Sequence, residues 1–565
     1  MTNGQSSGPI GLYADYLTEE IGPQGFPVRF ELRCPDDFNF AYDVLDRLAQ
    51  ATPDRRALRW CDDAGGRADY SFADLAALSD KAASYFRALG VRKGDRVLLS
   101  LKRHAEFWQA LLGLHKLGAV AVPATHQLKA YDLVFRLRTA QIDYVVATLE
   151  GSLAEEVELA EAELGRPLVK VGAHGRRAGW ADWADGLAAA APWVRPAGAE
   201  AAKACDPMLF YFTSGTTAQP KMVAHDFSYP IAHLPTAKHW QHIDPAGLHL
   251  TVSDTGWAKA AWGKLYGQWL METCVDVFDF DRFDPHRLLD HIAEAKVTSL
   301  CAAPTVYRFL IGCDLARWDL SALQHCTIAG EAMNPVVYET FRDLTGLELK
   351  EAFGQTETTA VVMTPYWLPT KAGSMGRPSP AYDVVLLTAD GREAGPGEEG
   401  EICLKTTAGR PLGLFRGYED DPELTASVWH DGYYHTRDLA AMDPDGYFWY
   451  VGRTDDMIKT SGYRVSPFEV ESVVLCHPAV RECAVTGVYD EIRGVIVKAT
   501  IVLAEGCEGT PELARQIQQY VKSHTAPYKY PRQIEFAAAL PQTVSGKIRR
   551  AEIRRRDEAL AAAAL

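Results

Sequence analysis

The sequence alternates between short apolar segments and amphipathic segments, and this alternation constrains the fold most strongly. A buried strand is predicted at residues 97–101, a helix at 104–116 and a second strand at 119–122. The alternation recurs as a helix near residues 131–140 before a strand at 144–147, and as a helix near residues 285–295 before a strand at 298–303. Strands that alternate with helices form parallel sheets whose faces are covered by the helices. We therefore predict an α/β fold built on parallel sheets.

The pattern changes after about residue 381. Short alternating strands and glycine-rich turns, as at residues 396–400 and 443–446, are typical of a β-rich subdomain. A chain of 565 residues is also too long for one ordinary core. We predict a large N-terminal domain over residues 1–455 that includes this subdomain, followed by a small α+β domain over residues 456–565.

Composition excludes several classes of protein. The formal net charge of -16 argues against a general nucleic-acid or anionic-membrane surface. Eleven cysteines occur without a CxxC pair, so neither a zinc cluster nor a disulfide framework is predicted from them. The N-terminal residues lack a secretory pattern, and charged residues and a proline interrupt the apolar stretch 110–124. A cytoplasmic protein without a membrane span is the expectation.

A loop rich in hydroxyl side chains follows the predicted strand at residues 208–212. It reads Thr213-Ser-Gly-Thr-Thr-Ala-Gln-Pro-Lys221. Hydroxyl and backbone N–H groups at a strand exit can wrap an oxyanion, and a lysine supplies positive charge. The loop is not the nucleotide motif GxxxxGK[ST], because a proline precedes the lysine and no Ser or Thr follows it. Alone, it indicates either phosphate binding or an ordinary turn.

Four further segments change that balance. Gly330-Glu-Ala-Met-Asn-Pro and Glu351-Ala-Phe-Gly-Gln-Thr-Glu-Thr-Thr follow predicted parallel strands, where open α/β sheets bind ligands. Two more lie towards the C-terminus: Tyr434-His-Thr-Arg-Asp438, continuing to Gly452-Arg-Thr-Asp-Asp-Met-Ile-Lys-Thr-Ser-Gly-Tyr-Arg464, and Leu540-Pro-Gln-Thr-Val-Ser-Gly-Lys547. In this order, the five segments closely resemble the acyl-adenylate-forming family of acyl-CoA synthetases, non-ribosomal adenylation domains and luciferases.

The resemblance extends from about residue 39 to residue 556. Ser253-Asp-Thr-Gly-Trp-Ala-Lys and Thr525-Ala-Pro-Tyr-Lys-Tyr-Pro531 look most like the medium-chain acyl-CoA synthetases. The resemblance implies an AMP-forming acid:CoA ligase that uses ATP, Mg2+ and coenzyme A. Its substrate would be a short- or medium-chain, branched or aromatic carboxylic acid, which is adenylated and then transferred to coenzyme A.

Attack of a carboxylate on the α-phosphorus of ATP needs no protein nucleophile, but it needs in-line positioning and neutralisation of charge. The resemblance assigns catalysis to Lys547, Thr356 and Glu357, with Glu357 also holding Mg2+. Phe353 would stack on the adenine, and Asp438 would accept hydrogen bonds from the ribose hydroxyls. The implied ATP-binding residues are Thr213, Ser214, Gly215, Thr216, Thr217, Lys221, Gly330, Glu331, Ala332, Glu351, Phe353, Gly354, Gln355, Thr356, Asp438, Arg453 and Lys547.

The thioester half-reaction implies a second group of residues. By the resemblance, Trp257 and Arg464 are expected in the acyl pocket. The small C-terminal domain is expected to be mobile and to swing about a hinge at Asp455, and this swing would remove Lys547 from the site. The residues expected to bind coenzyme A are Gln127, Ser461, Gly462, Tyr463, Arg493, Lys522 and Tyr530.

Several alternatives stay open. An adenylation enzyme that loads a carrier protein shares these segments, although no carrier domain is expected after residue 547. A luciferase-like oxygenase and a non-catalytic nucleotide-binding relative share the fold. Ala218 stands where many relatives have glycine, which leaves the conformation of the phosphate loop undetermined. Lys547 is also a plausible target of a protein acetyltransferase and deacetylase, because acetylation removes the lysine charge.

Overall fold

A computed structural model of the chain describes residues 8–23, 25–213, 220–460, 463–490, 494–526, 528–542 and 547–564. These residues form two compact units. The first unit comprises residues 8–213, 221–383 and 406–427. The second unit comprises residue 220 and residues 384–405 and 428–564, with the gaps given above. Residues 384–405 and 428–455 thus group with C-terminal residues, and the boundary at Asp455 stays a prediction.

The N-terminal part of the first unit alternates strands and helices. Its elements are β1 (Leu17–Ile21), β2 (Pro27–Leu32), α1 (Arg47–Ala51), β3 (Arg56–Asp62), β4 (Arg67–Ser71), α2 (Phe72–Ala88), β5 (Arg96–Ser100), α3 (Glu106–Leu117), β6 (Val120–Pro123), α4 (Ala130–Thr139), β7 (Tyr144–Thr148), α5 (Leu153–Leu164), β8 (Val169–Ala173), β9 (Ala181–Asp182), α6 (Trp183–Ala188) and β10 (Pro207–Thr213). The strand, helix and strand predicted between residues 97 and 122 are β5, α3 and β6.

The alternation continues through residue 378. The elements are β11 (Lys221–Asp226), β12 (Leu248–Thr251), α7 (Ala258–Gly263), α8 (Tyr266–Leu270), β13 (Cys274–Asp279), α9 (Pro285–Ala295), β14 (Ser299–Ala302), α10 (Pro304–Leu310), β15 (His325–Ala329), α11 (Pro335–Thr345), β16 (Leu349–Phe353), β17 (Val362–Met363) and β18 (Ser374–Pro378). Short 3-10 or π-helical turns occur at Leu12–Asp15, Ala41–Asp46, Gly198–Glu200, Ile231–His233, Thr236–Trp240 and Leu315–Arg317.

The remaining elements are mostly short strands, as the glycine-rich turns indicate. They are β19 (Val384–Leu387), β20 (Glu399–Lys405), β21 (Gly417–Tyr418), α12 (Pro422–Ala426), β22 (Trp429–His430), β23 (Tyr433–Met442), β24 (Phe448–Arg453), β25 (Ile458–Thr460), β26 (Tyr463–Val465), α13 (Pro467–Val474), β27 (Val480–Asp490), β28 (Gly494–Leu503), α14 (Pro511–His524), β29 (Gln533–Phe536) and α15 (Arg550–Ala564). β21 and α12 belong to the first unit, and the others belong to the second.

The first unit contains two large sheets. One has the strand order β21-β11-β10-β6-β5-β7-β8-β9, in which β6, β5, β7, β8 and β9 run parallel. In the other, β16, β15, β14, β12, β13 and β3 run parallel, with Ile328 of β15 opposite Glu351 of β16. The inner strands of both sheets are almost entirely buried, because helices cover their faces. The carboxyl ends of the parallel strands position the candidate site.

The second unit is built differently. In one sheet β19, β20, β23 and β24 pair antiparallel, and in another β27 pairs antiparallel with β28, which pairs parallel with β29. Apolar residues of α13 and α14 pack on the second sheet. Over the described residues, every helix is too short or too polar to cross a membrane.

Candidate active site

Lys221 is linked to Glu357 through a single tyrosine. β10 and β11 form an antiparallel pair in which Thr213 lies opposite Lys221. β21 pairs with β11 on its other side and places the Tyr418 ring centroid 5.3 Å from Lys221 Nζ. The Tyr418 hydroxyl donates a hydrogen bond of 2.8 Å to Glu357 Oε1. The predicted phosphate-binding lysine and the predicted magnesium ligand therefore lie around one aromatic ring.

The backbone at Thr356 and Glu357 is held from two sides. His225 Nε2 lies 2.7 Å from the carbonyl oxygen of Thr356, and the Phe415 N–H donates to the carbonyl oxygen of Glu357 at 2.7 Å. Burial lowers the pKa of His225 to about 4, so the ring is neutral near pH 7 and its single proton is on Nε2. Both carbonyl oxygens therefore accept a hydrogen bond, and these bonds fix the backbone of the two predicted catalytic residues.

The Glu357 carboxylate suits a divalent cation. Glu357 is 9% exposed. Its Oε1 atom accepts a hydrogen bond from the Tyr418 hydroxyl, and its Oε2 atom faces no donor among the described residues. Hard cations such as Mg2+ prefer carboxylate oxygens and keep several waters. A partly buried carboxylate with one oxygen available fits that requirement.

Glu351 is buried within β16. Its side chain is almost completely buried on β16, and burial raises the pKa of its carboxyl group to about 8, although a hydrogen bond from the Met333 backbone opposes this rise. The group is therefore mostly neutral near pH 7. Its side chain anchors the loop at Met333, which also carries the predicted adenine-binding residues Gly330, Glu331 and Ala332.

That loop is shaped by one glycine conformation and two hydrogen bonds. Gly330 adopts φ 104°, a left-handed backbone conformation that favours glycine. Thr305 donates to Glu331 Oε2 at 3.0 Å, and Lys259 Nζ donates to the carbonyl oxygen of Ala329 at 2.8 Å. The exposed loop at the end of β15 is thus tied to α10 and to α7.

A tryptophan packs directly behind the end of β16. A Cβ atom on Gly354 would lie 2.5 Å from the Trp262 ring and closer still to the carbonyl oxygen of Thr359. Trp262 belongs to an apolar cluster that includes Ala329 and Ala352. Close approach therefore requires glycine at position 354, and half-buried Phe353 and Gln355 lie on either side of it. Gln355 donates its backbone N–H to the Thr358 hydroxyl at 3.0 Å.

The predicted acyl-pocket and coenzyme A segments adjoin each other in the first unit. A Cβ atom on Gly256 would overlap the backbone nitrogen of Thr125, so these two segments pack backbone to backbone. Trp257 follows Gly256 and is partly exposed, and Gln127 lies two residues beyond Thr125 and is exposed. The structure therefore brings the surroundings of Trp257 and Gln127 together.

In the second unit, Asp438 lies opposite Arg453 on β23 and β24. Its buried carboxylate accepts a hydrogen bond of 3.0 Å from the Tyr450 hydroxyl on Oδ1, and Arg453 lies 3.5 Å from Oδ2. Arg453 also donates to Asp455 Oδ1 at 3.1 Å. A carboxylate is an acceptor that can take more than one hydrogen bond, the chemistry that recognition of ribose hydroxyls needs.

The other predicted residues of the second unit fall into separate places. Lys547 is exposed and immediately precedes Ile548, which forms an isolated antiparallel bridge with Gln542. Lys522 Nζ lies 4.2 Å from the Tyr530 ring centroid, whereas Tyr463 stacks on Tyr528 at 4.1 Å. Arg464 pairs with Lys459 through the backbone. The predictions for Ser214, Gly215, Thr216, Thr217, Ala218, Ser461, Gly462, Arg493 and the side chain of Arg464 lie outside the described residues.

Comparison with known proteins identifies the family. Residues 45–419 match the family model described as AMP-binding enzyme, and residues 469–547 match that of the AMP-binding enzyme C-terminal domain. The chain belongs to the AMP-binding enzyme family. The resemblance to acyl-adenylate-forming enzymes predicted from the sequence is therefore confirmed.

Curated relatives of this AMP-binding enzyme carry acyl-CoA synthetase names. The mouse protein "Acyl-coenzyme A synthetase ACSM3, mitochondrial" is 37% identical over 97% of this chain and 96% of its own length. The human protein "Acyl-coenzyme A synthetase ACSM5, mitochondrial" is 40% identical over 92% of this chain and 90% of its own length. The cytoplasmic location predicted from the sequence is wrong by this comparison, because these relatives are named mitochondrial.

Solved structures confirm the predicted fold class. The anthranilate CoA ligase AuaEII in complex with anthranoyl-AMP superimposes with a TM-score of 0.84 at 27% identity, covering 94% of this chain and 99% of that chain. A benzoate CoA ligase from Burkholderia xenovorans LB400 gives a TM-score of 0.79 at 27% identity, covering 92% and 100%. An acyl-CoA synthetase of Brucella canis gives 0.71 at 33% identity, covering 94% and 96%.

Several residues of this AMP-binding enzyme contribute to the site without having been predicted from the sequence. They include His225, Lys259, Thr305, Tyr418 and Tyr450. Each acts on a predicted residue, or in the case of Lys259 on the residue before Gly330, through pairing between strands or between distant segments. Tyr418 belongs to a strand of only two residues, and such a short element carries no periodicity that could reveal it.

Proposed function

We propose that this AMP-binding enzyme is an ATP-dependent acid:CoA ligase that forms AMP. The carboxylate oxygen of the acid attacks the α-phosphorus of ATP and pyrophosphate leaves; the thiol of coenzyme A then attacks the acyl carbon and AMP leaves. The arrangement of Lys221, Tyr418 and Glu357 carries the proposal, because it joins a cation to a carboxylate at the strand ends where phosphates bind. The acyl-CoA synthetase names of the relatives support it.

Charge on the phosphates is the main electrostatic problem of the first step. Lys221 supplies one positive charge, and Glu357 Oε2 is the oxygen we assign to Mg2+. A bound Mg2+ would neutralise charge on the leaving pyrophosphate. Thr356, held by His225 through its carbonyl group, would present its hydroxyl to the α-phosphate. The positions of Thr356 and Glu357 are therefore set before ATP binds, which is how electrostatic preorganisation lowers a barrier.

Nucleoside recognition is assigned to two groups of residues. Phe353 would stack on the adenine beside Gly330, Glu331 and Ala332, whereas Asp438 would accept the ribose hydroxyls with Arg453 alongside. The Tyr450 hydroxyl fixes the orientation of the Asp438 carboxylate. Glu351 would contribute indirectly, because its neutral carboxyl group anchors the adenine loop.

Lys547 is assigned to bridge the substrate carboxylate and the α-phosphate during adenylation. An exposed ammonium on a flexible stem can follow charge as it develops. Its departure for the second step is part of the proposal, with Asp455 as the hinge between the domains at residues 1–455 and 456–565. Acetylation of Lys547 by a protein acetyltransferase would remove the charge, and a deacetylase would restore it.

The acid is proposed to be a short- or medium-chain, branched or aromatic carboxylic acid. Trp257 and the Trp262 cluster supply apolar area in the first unit, which suits such an acyl group. Two similar structures are named benzoate and anthranilate CoA ligases, which favours including aromatic acids. Coenzyme A is assigned to Gln127 in the first unit and to Tyr463, Lys522 and Tyr530 in the second.

The half-reactions test the role of Lys547. In Lys547→Ala, we expect loss of adenylate formation from acid and ATP, measured as pyrophosphate release, by at least about 100-fold, since electrostatic groups in such sites are worth about that much. Thioester formation from supplied acyl-adenylate and coenzyme A should remain within about threefold of wild type. Lys203→Ala, at another exposed lysine, is the control and should leave both rates unchanged. Equal loss of both half-reactions would refute the assignment.

A further inference from the structure

Three potential metal ligands converge at the carboxyl edge of the first parallel sheet. His104 and Glu106 follow β5, with Glu106 as the first residue of α3, and His174 follows β8. One ligand atom from each of the three lies within 4.8 Å of the other two. Parallel sheets bind ligands at this edge. None of the ATP, coenzyme A or acyl assignments uses these residues, so the convergence has no role in the proposed reaction.

His104 is oriented as histidine zinc ligands usually are. The residue is 2% exposed, and its Nε2 atom lies 3.3 Å from Asp279 Oδ2 and 3.3 Å from Glu150 Oε2. Its other ring nitrogen, Nδ1, is buried and has no hydrogen-bond partner within the described parts of the chain. A histidine that binds a metal through one nitrogen commonly donates the other N–H to a carboxylate. Asp279 supplies that carboxylate, which leaves the Nδ1 lone pair for a metal.

His174 is held in an unusual backbone conformation. Its φ is 59°, in the left-handed region that residues other than glycine rarely adopt. This conformation places the centroid of the His174 ring 3.8 Å from the centroid of the His104 ring. The Nε2 atom of His174 lies 3.0 Å from Glu106 Oε2. Such backbone outliers persist where the surroundings enforce them, and they cluster at functional sites. The strained position of His174 therefore serves to bring its imidazole to His104 and Glu106.

We propose that His104, Glu106 and His174 form a zinc-binding site. Two imidazoles and one carboxylate with an open fourth position match three-ligand zinc chemistry. Zinc–ligand bonds of about 2.0–2.1 Å require tetrahedral ligand atoms to lie about 3.3 Å apart, so the set must contract by no more than about 1.5 Å. The partly exposed side chains of Glu106 and His174 can make this movement, whereas buried His104 stays fixed.

Neighbouring charges leave room for the cation. Lys102 Nζ lies near three carboxylates, at 2.7 Å from Asp281, 3.4 Å from Asp279 and 3.7 Å from Glu150. Arg103 Nε lies 3.1 Å from the other oxygen of Asp279. The two cations are thus already matched by carboxylates. Glu150, which is about half exposed, lies on the Nε2 side of His104, so the fourth position is left to water.

The test is zinc binding by the full chain, because this readout does not depend on ligase activity. Purified protein is freed of metal by chelation, titrated with zinc chloride by calorimetry, and analysed for bound zinc after dialysis. We expect one zinc per chain at this site. His174→Gln and Glu106→Gln should each weaken zinc binding by at least about tenfold, since even supporting residues of metal sites are worth that much. Both side chains are partly exposed, so both variants should fold.

Two controls assign the metal to this site. His286→Gln alters an exposed histidine of the same unit and should leave zinc binding unchanged. Glu401, Cys403 and His435 form a second potential ligand set in the second unit, so His435→Gln is titrated in parallel. Anomalous diffraction from zinc-soaked crystals should give a peak between His104 and His174. Absence of stoichiometric binding, binding unaffected by His174→Gln, or a peak only at the Glu401 set would each overturn the proposal.

Discussion

Replacing Glu351 with glutamine should make the protein more stable at alkaline pH. Glu351 is buried on β16, and its burial raises the pKa of the carboxyl group to about 8 from an ordinary value of 4.5. Glutamine has nearly the same shape and can accept the same hydrogen bond from the Met333 backbone, but it cannot ionise. The substitution therefore removes the titration of this group and retains its packing.

The direction of this change in stability follows from the number of protons bound by the folded and the unfolded chain. Between pH 4.5 and 8 the folded chain keeps a proton on Glu351 that the unfolded chain has released, so stability falls as pH rises through this window and levels off above it. The full pKa difference corresponds to a loss of at most about 5 kcal/mol, at about 1.36 kcal/mol per unit of pKa. Glu351→Gln avoids this loss, and its advantage should grow from under about 1 kcal/mol at pH 5 to a few kcal/mol at pH 9.

Urea unfolding followed by tryptophan fluorescence measures the effect at pH 5 and pH 9. Only the difference in the free energy of unfolding between variant and wild type at each pH is used, so other titrating groups cancel. Glu339→Gln, on the exposed surface of α11, is the matched control and should show no pH-dependent difference. A Glu351→Gln variant that is equally stable relative to wild type at both pH values, or less stable at pH 9, would refute the reasoning.

Three further substitutions probe the site. Tyr418→Phe removes the 2.8 Å hydrogen bond to the Glu357 carboxylate and should cost about 1.5–3 kcal/mol in urea unfolding; an unchanged midpoint would contradict this. Gly354→Ala forces a Cβ against Trp262 and should cost about 1–3 kcal/mol and lower the adenylation rate, whereas wild-type stability and rate would show that the contact is readily relieved. Asp438→Asn should weaken ATP binding by about tenfold or more in calorimetry, and an unchanged affinity would argue against a ribose contact.

The sequence predicted the parallel elements well because their signals are local. β5, α3 and β6 follow from apolar periodicity and from Gly118, which ends the helix in a left-handed conformation. The helix predicted at residues 285–295 agrees with α9, which begins at a proline capped by Asp284. Strand order across the sheets depends on contacts between distant segments, which local periodicity does not encode.

Only the site residues that lie in recognisable motifs were predicted from the sequence. Lys221 and Glu357 lie in recognisable segments, but Tyr418, which joins them, comes from a two-residue strand 61 positions beyond Glu357. Glu351 lies in a motif too, yet its burial depends on how β16 packs between β15 and β17. Side-chain environment, and with it the pKa of a carboxyl group, is a property of the packed sheet.

The most direct test of the central claim follows oxygen from the acid into AMP. Purified protein is incubated with ATP, Mg2+, coenzyme A and a carboxylic acid, such as benzoate or hexanoate, labelled with oxygen-18 in both carboxyl oxygens. Attack by the carboxylate on the α-phosphorus followed by thioester formation leaves one labelled oxygen in AMP, with pyrophosphate unlabelled and one acyl-CoA formed per AMP. Appearance of the label in orthophosphate together with ADP, or AMP without label, would contradict an acyl-adenylate mechanism.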